Sequence, residues 1–135
     1  MIGSHLDPNW MPLVFQKVGQ FPITKNNQIG ELQNIGLQFV ITFEFLFNTV
    51  PSHDYLNILH FTTGAHCCAS GTRTPGLWYI GGRNQFHLSS AISGNGHNYK
   101  DIPFSVTAKT WYHMEISQLL KNNNDVSNWL KFINN

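Results

Sequence analysis

Large apolar side chains occupy alternate positions along the stretch from Phe39 to Phe47. The odd-numbered positions carry only Phe and Ile, whereas the even-numbered positions mix apolar residues with Thr42 and Glu44. A period of two places successive side chains on opposite faces of a β-strand. The pattern therefore predicts a central strand of an antiparallel sheet, with one face in the core and one mixed face.

Shorter stretches with the same alternation predict further strands, separated by Gly, Asn and Pro residues that favour turns. The predicted strands cover residues 13–18, 55–62, 77–80, 85–93, 99–104 and 109–119. Residues 28–35 are a strand or a loop, and residues 126–133 are a strand or a short helix capped by Asp125, with the strand favoured. Residues 81–84 are predicted to form a hairpin turn, and residues 63–76 a long polar loop. Because no long helical pattern interrupts this order, the sequence predicts an all-β fold, an antiparallel β-sandwich of the jelly-roll type.

Length, charge and hydropathy favour a single domain that neither binds nucleic acid nor spans a membrane. The 135 residues suffice for one domain, assigned to residues 13–135, and residues 1–12 are interpreted as a vector remnant or a flexible N-terminus. Charged residues make up 11% of the chain, which argues against a nucleic-acid partner because phosphate binding needs clustered Lys and Arg. No apolar run reaches the roughly 20 residues of a membrane-spanning helix, so no membrane span is expected.

The adjacent pair Cys67 and Cys68 admits several interpretations. A vicinal disulfide departs from ordinary disulfide geometry, so two thiols or a bond to a cysteine elsewhere are alternatives. A zinc site with His60 and His66 is disfavoured because neighbouring cysteines chelate one tetrahedral ion poorly. A cysteine nucleophile paired with either histidine lacks a family signature. The redox state of the pair stays open.

Five segments follow one another in an order that is typical of a known superfamily. They are residues 29–32, 39–45, 57–61, 76–79 and 110–116. Together they resemble the concanavalin A-like lectin and glucanase superfamily, and in style its laminin-G-like and pentraxin-like jelly rolls. The strand Thr110-Trp111-Tyr112-His113-Met114-Glu115-Ile116 is the most specific part of this resemblance. The resemblance implies an extracellular, secreted module that binds a glycan or a glycoprotein.

The end of the chain departs from the family pattern. In such domains the strand with the Trp-x-His sequence is commonly followed by further strands, whereas here the sequence ends soon after residue 133. The jelly roll is therefore expected to lack its last strands. An unpaired sheet edge invites association, so a homodimer through that edge is a hypothesis.

Sugar binding needs aromatic rings together with amide, carboxylate or guanidinium groups at loop ends or on a concave face. Trp78 stands beside the long loop, and its predicted strand leads into the turn at residues 81–84. The candidate ligand-binding residues are Arg73, Trp78, Tyr79, Arg83, Asn84, His87, Asn95, His97 and Asn98. The alternative is that Trp78 packs in the core and that the Asn residues only form turns.

The resemblance also implies a calcium site, although no cofactor is expected to be required. Calcium takes oxygen ligands from carboxylates, amides and backbone carbonyls. Asp54 and Asn57 at a loop-to-strand junction, and Asp101 near the predicted turn at residues 94–98, are the candidate ligands.

Catalysis is the third class of function to consider, because the superfamily includes glucanases. Glycoside hydrolysis needs two carboxylates on either side of one bond. The chain has three glutamates, Glu31, Glu44 and Glu115, and they do not form the Glu-x-Asp-x-x-Glu motif of the glucanase branch. The sequence therefore predicts a lectin-like binding module that is not an enzyme. The alternative is a protein-interaction or adhesion domain without sugar specificity.

Overall fold

The computed structural model describes residues 22, 24, 28–32, 38–65, 69, 72–90, 98–122 and 125–133, the last strand by its backbone. The chain divides into two compact units, Met1–Gly36 and Leu37–Asn135, and all the strands found among the described residues belong to the second unit. The strands are β1 (Phe39–Phe45), β2 (Leu56–His60), β3 (Gly76–Ile80), β4 (Gln85–Ser89), β5 (Tyr99–Pro103), β6 (Tyr112–Asn122) and β7 (Asp125–Ile133).

The strands form two antiparallel sheets. One has three strands in the order β1-β6-β7, and the other has four strands in the order β2-β3-β4-β5. In the part of the chain that is described, the helical content is one short 3-10 turn at Gly81–Arg83. No helix among these residues has the length and apolar character needed to cross a membrane. The prediction of an all-β antiparallel fold is confirmed.

Strand β1 confirms the alternation but not the predicted place in the sheet. Phe39 and Phe45 are buried, whereas Val40, Thr42 and Glu44 are exposed. The prediction of a central strand is wrong for the strands described, because β1 pairs with β6 alone and lies at the edge. Alternation within one strand determines which face is buried, but the number of neighbours depends on the arrangement of the whole sheet.

Aromatic rings join the two sheets in the core. Phe45 of β1 lies 6.0 Å from Phe86 of β4 and 5.7 Å from Tyr112 of β6, measured between ring centroids. Tyr79 of β3 is fully buried and packs against Phe86 at 5.0 Å. Such ring pairs contribute about 0.5–1.5 kcal/mol each beyond the area that they bury. The aromatic inner faces predicted from the alternation thus form the core between the sheets.

A buried hydrogen bond also links the sheets. The hydroxyl of Ser90, just after β4, donates to Oε1 of Gln118 in β6 at 2.6 Å. Both residues are buried, and buried polar groups of this kind require partners inside the protein. The pair therefore specifies how the two sheets face each other, which a purely apolar contact would specify less strictly.

The turn between β3 and β4 confirms the predicted hairpin. Gly81–Arg83 forms the 3-10 turn, and Asn84 has a φ of 49°, in the left-handed region where Asn is favoured. A Cβ at Gly81 would overlap the backbone carbonyl of Pro51, so the turn depends on glycine there. This close approach holds the turn against the loop that precedes β2 and thereby positions Arg83.

The other predicted elements are confirmed in part. β7 confirms a strand rather than a helix at the end of the chain, and β2 contains a bulge between Asn57 and Leu59. The bulge interrupts the alternation of β2, and beyond it the ring of His60 contacts that of Trp78. Residues 28–32 have no regular secondary structure. The strand predicted at residues 13–18 and the end of the one predicted at 85–93 lie outside the described residues.

Candidate functional site

The outer face of the four-stranded sheet carries two rows of chemically active side chains. In the first row, Trp78 of β3 pairs with His87 of β4, which pairs in turn with Asp101 of β5. In the second row, Ser89 of β4 pairs with Tyr99 of β5. Residues directly opposite each other in an antiparallel sheet share a face, so the side chains of each row lie side by side.

These rows form the floor of an open groove of about 450 Å³. The residues around it combine aromatic rings with two guanidinium groups, one carboxylate, one imidazole and three hydroxyls. They are Tyr55, Arg73, Trp78, Arg83, His87, Ser89, Tyr99 and Asp101.

His87 lies at the centre of the groove. Its Nδ1 donates to Oδ1 of Asp101 at 2.6 Å, and the imidazole is 8% exposed. Its ring centroid lies 4.8 Å from that of Tyr99 and 5.5 Å from that of Tyr55. Two tyrosine rings therefore contact a histidine whose orientation is set by a carboxylate.

Trp78 is the member of the first row next to β2, where it pairs with Asn57. The Cζ atom of Arg73 lies 5.0 Å from the centre of the indole ring, a cation–π arrangement. The ring of His60 contacts the indole at 5.5 Å, and Gly76 lies beneath the indole so closely that a Cβ there would overlap it. These contacts leave Trp78 only 9% exposed. The expectation that Trp78 offers an open ring to a ligand does not fit this degree of burial.

The exposed aromatic rings of the groove belong instead to two tyrosines. Tyr55 is 53% exposed and Tyr99 is 59% exposed. Tyr99 could have been found from the sequence, since it is two residues from Asp101 in a predicted strand and therefore on the same face. Tyr55 gave no such signal, because it precedes β2 with a φ of 52° that places it outside the alternation. Sequence reasoning also missed Ser89.

Four of the predicted ligand-binding residues, Arg73, Trp78, Arg83 and His87, come together in the groove. Tyr79 points to the opposite face and is fully buried, because its neighbour Trp78 takes the outer face. The tyrosine hydroxyl is 3.3 Å from both Asn84 Oδ1 and the Phe104 carbonyl oxygen.

The remaining candidates play other parts or lie elsewhere. The side chain of Asn84 is a partner of the buried Tyr79 hydroxyl. The backbone carbonyl of Asn98 accepts hydrogen bonds from the Ser90 amide at 3.0 Å and the Ser89 hydroxyl at 3.4 Å. Asn95 and His97 lie outside the described residues.

The three candidate calcium ligands do not meet at one point. Asn57 and Asp101 lie on β2 and β5, the two edge strands, with β3 and β4 between them. Three strand spacings of about 4.8 Å separate such positions by roughly 14 Å, well beyond the reach of one ion. Asp54 lies before β2, beside the turn at Gly82. In the described part of the chain, no three His, Cys, Asp or Glu side chains are grouped as a metal site would require.

The alternatives that involve cysteine concern residues outside the described ranges, since His66, Cys67 and Cys68 are not among them. His60 is described, and its Nε2 donates to the backbone carbonyl of Thr72 at 2.7 Å. This bond and the contact with Trp78 give His60 a structural role beside the groove.

The groove contains Ser, His and Asp side chains, which invites comparison with a catalytic triad. A triad requires the serine hydroxyl to donate to the histidine nitrogen that faces away from the aspartate. Here the Ser89 hydroxyl donates to the Asn98 carbonyl at 3.4 Å, and Ser89 is buried. The geometry of Ser89 therefore fits a structural hydroxyl rather than a nucleophile.

No family model, curated protein or solved structure matches the chain. The architecture and the groove are the features of the molecule that bear on its function. They define an all-β protein with a polar and aromatic groove on the outer face of its four-stranded sheet.

Proposed function

We propose that this protein is a non-catalytic, lectin-like carbohydrate-binding module, built as a jelly-roll β-sandwich, and that the groove is its sugar site. One observation carries the proposal: the exposed rings of Tyr55 and Tyr99 both contact the ring of His87, in a groove that also contains the charged groups of Arg83 and Asp101. A sugar presents apolar C–H faces and a rim of hydroxyls. Aromatic rings suit the former, and charged or amide groups suit the latter.

Two features of the structure favour binding over catalysis. A glycosidase places two carboxylates around one bond, and the carboxylate of this groove, Asp101, is engaged by His87. Glu44 and Glu115 lie on the other sheet, in β1 and β6, where Glu44 is 3.4 Å from Nδ1 of His113. Both glutamates are thus placed on a different sheet from the groove.

The proposal includes a glycan or glycoprotein as partner and an extracellular location, as the family resemblance implies. Calcium dependence and a homodimer stay predictions. Binding measured with and without a chelator tests the former, and a molar mass measured over a range of protein concentrations tests the latter. The second candidate function, a protein-interaction or adhesion domain, becomes the conclusion if no glycan binds.

The experiment that tests the proposal is a glycan-array screen of the wild type and of Tyr99→Ala. Tyr99 is the better target than Trp78, because removing the buried indole would also disturb the packing around Arg73 and His60. Loss of a stacking ring is expected to weaken binding about tenfold. Trp111→Ala is the matched control, since Trp111 is 50% exposed and lies outside the groove.

Weaker binding by Tyr99→Ala together with unchanged binding by Trp111→Ala would support the groove as the sugar site. Equal losses in the two variants would show that exposed aromatic rings bind without a defined site. Absence of binding to every glycan by the wild type would overturn the proposal.

A further inference from the structure

The groove has more positive than negative charge. Arg73 and Arg83 contribute two guanidinium groups, and Asp101 contributes the carboxylate. Asp101 accepts a short hydrogen bond from His87, so one of its carboxylate oxygens is already engaged. The lining therefore carries one more positive than negative charge, in a protein whose overall formal charge is only +1. A local excess of this kind favours anionic ligands and steers their approach.

The aromatic rings alone would admit the opposite interpretation, because clusters of Trp and Tyr also bind cations. The two arginines weigh against a cationic ligand. The guanidinium of Arg73 lies 5.0 Å from the centre of the Trp78 ring, so a cation of the protein already occupies that ring. A second cation would be repelled by Arg73 and by Arg83, whereas an anion would be attracted by both.

The placement of the two arginines suits recognition of an anion. The contact with Trp78 restrains the guanidinium of Arg73, which reduces the entropy lost when it binds a ligand. Arg83 ends the 3-10 turn, whose backbone closely approaches Pro51 at Gly81, and its side chain is exposed and lines the groove. Guanidinium groups bind planar anions through two parallel hydrogen bonds, which give geometric specificity as well as affinity.

We propose that the ligand is an acidic sugar, a pyranose with a carboxylate or sulfate group, whose anion binds Arg73 and Arg83 while its ring stacks on an exposed tyrosine. This inference rests on the proposed sugar site and adds the charge class of the sugar. Carboxylate and sulfate share the chemistry that the arginines recognise, and the probes below distinguish them.

The test compares each acidic oligosaccharide with its neutral counterpart by titration calorimetry. Oligogalacturonate is paired with its methyl ester, and a sulfated galactan oligosaccharide with the desulfated form. The variants are Arg83→Gln and, as matched control, Lys100→Gln, which removes a charge from β5 without touching the groove lining. Arg83→Gln is expected to weaken binding of the acidic sugar about tenfold or more, and Lys100→Gln less than about twofold.

Preference for one acidic sugar over its neutral counterpart, lost in Arg83→Gln and kept in Lys100→Gln, would support the inference and identify the anionic group. Equal binding of acidic and neutral forms, unaffected by Arg83→Gln, would overturn it while leaving the sugar site in place. Equal losses in both variants would overturn it as well, since they would indicate nonspecific charge attraction. The inference would also be overturned if the protein bound neutral glycans on the array but none of the four oligosaccharides. If it bound no glycan at all, the proposed function on which the inference rests would itself be overturned.

Discussion

The imidazole of His87 and the carboxylate of Asp101 form a hydrogen bond of 2.6 Å that joins β4 to β5 on the outer face of the sheet. His87 is almost fully buried and needs a partner there, whereas Asp101 lies on an edge strand and is partly exposed. The bond therefore holds the edge strand in register and orients the imidazole between Tyr55 and Tyr99.

Replacing Asp101 with Ala should lower the free energy of unfolding by about 1–2 kcal/mol, because a buried imidazole loses its acceptor. Asp101→Asn keeps an acceptor oxygen at the same place and should cost less than half as much. Urea denaturation of the wild type and the two variants measures both effects. Equal stability of the Ala variant and the wild type would show that water replaces the carboxylate at no cost.

Gly76→Ala should lower the free energy of unfolding by about 1–3 kcal/mol, since the added methyl group would overlap the indole of Trp78 and force the ring to move. The displaced indole should also change the tryptophan fluorescence. Denaturation followed by fluorescence records both consequences in one experiment.

Gly82→Ala is the matched control for that substitution. A Cβ at Gly82 would meet only Oδ1 of Asp54, at 3.3 Å, and the end of an exposed side chain can move aside. We expect its stability to stay within about 0.5 kcal/mol of the wild type. If both alanine variants were equally stable, the close packing of Trp78 on Gly76 would be disproved.

Tyr79→Phe should destabilise the protein by about 1–2 kcal/mol without changing ligand binding. The hydroxyl of Tyr79 lies 3.3 Å from Asn84 Oδ1 and the Phe104 carbonyl oxygen, and it accepts from the Val106 amide at 3.5 Å. Its removal leaves the buried Val106 amide with one partner fewer. Thermal denaturation measures the loss, and a binding titration tests whether Tyr79 takes any part in recognition.

Tyr99→Phe provides the contrast, because the ring of Tyr99 is exposed in the groove. Its stability should equal that of the wild type within about 0.5 kcal/mol. If Tyr79→Phe were as stable as the wild type but bound the ligand more weakly, Tyr79 would have to be a ligand-binding residue after all.

Ser90→Ala should cost about 1–3 kcal/mol of unfolding free energy, because Gln118 Oε1 would lose a donor at 2.6 Å inside the core. Ser105→Ala removes the same group from an exposed position and should be close to neutral. Urea denaturation of the pair isolates the contribution of the bond between the sheets. Similar stability in the two variants would show that this bond does not hold the sheets together.

Much of the candidate site could be predicted from residue types and alternation. Trp78 and His87 belong to predicted strands on either side of a predicted turn, so their proximity follows from hairpin geometry, and Arg83 lies in that turn. Arg73 lies in the predicted long loop that leads into β3, and its guanidinium is of the kind that binds sugars. Tyr55 could not be predicted in the same way, since its positive φ and its contact with His87 arise from the path of the chain before β2.

The sequence by itself determined which side chains of β1 and β6 face inward. Alternation with a period of two is a local property of the chain, and Phe39, Phe45, Tyr112 and Met114 are buried as the pattern requires. Only the tertiary structure decided that β1 lies at a sheet edge and that Asp101 meets His87 rather than Asn57. Strand order and register depend on contacts between residues far apart in sequence, and these contacts form only when the whole core packs.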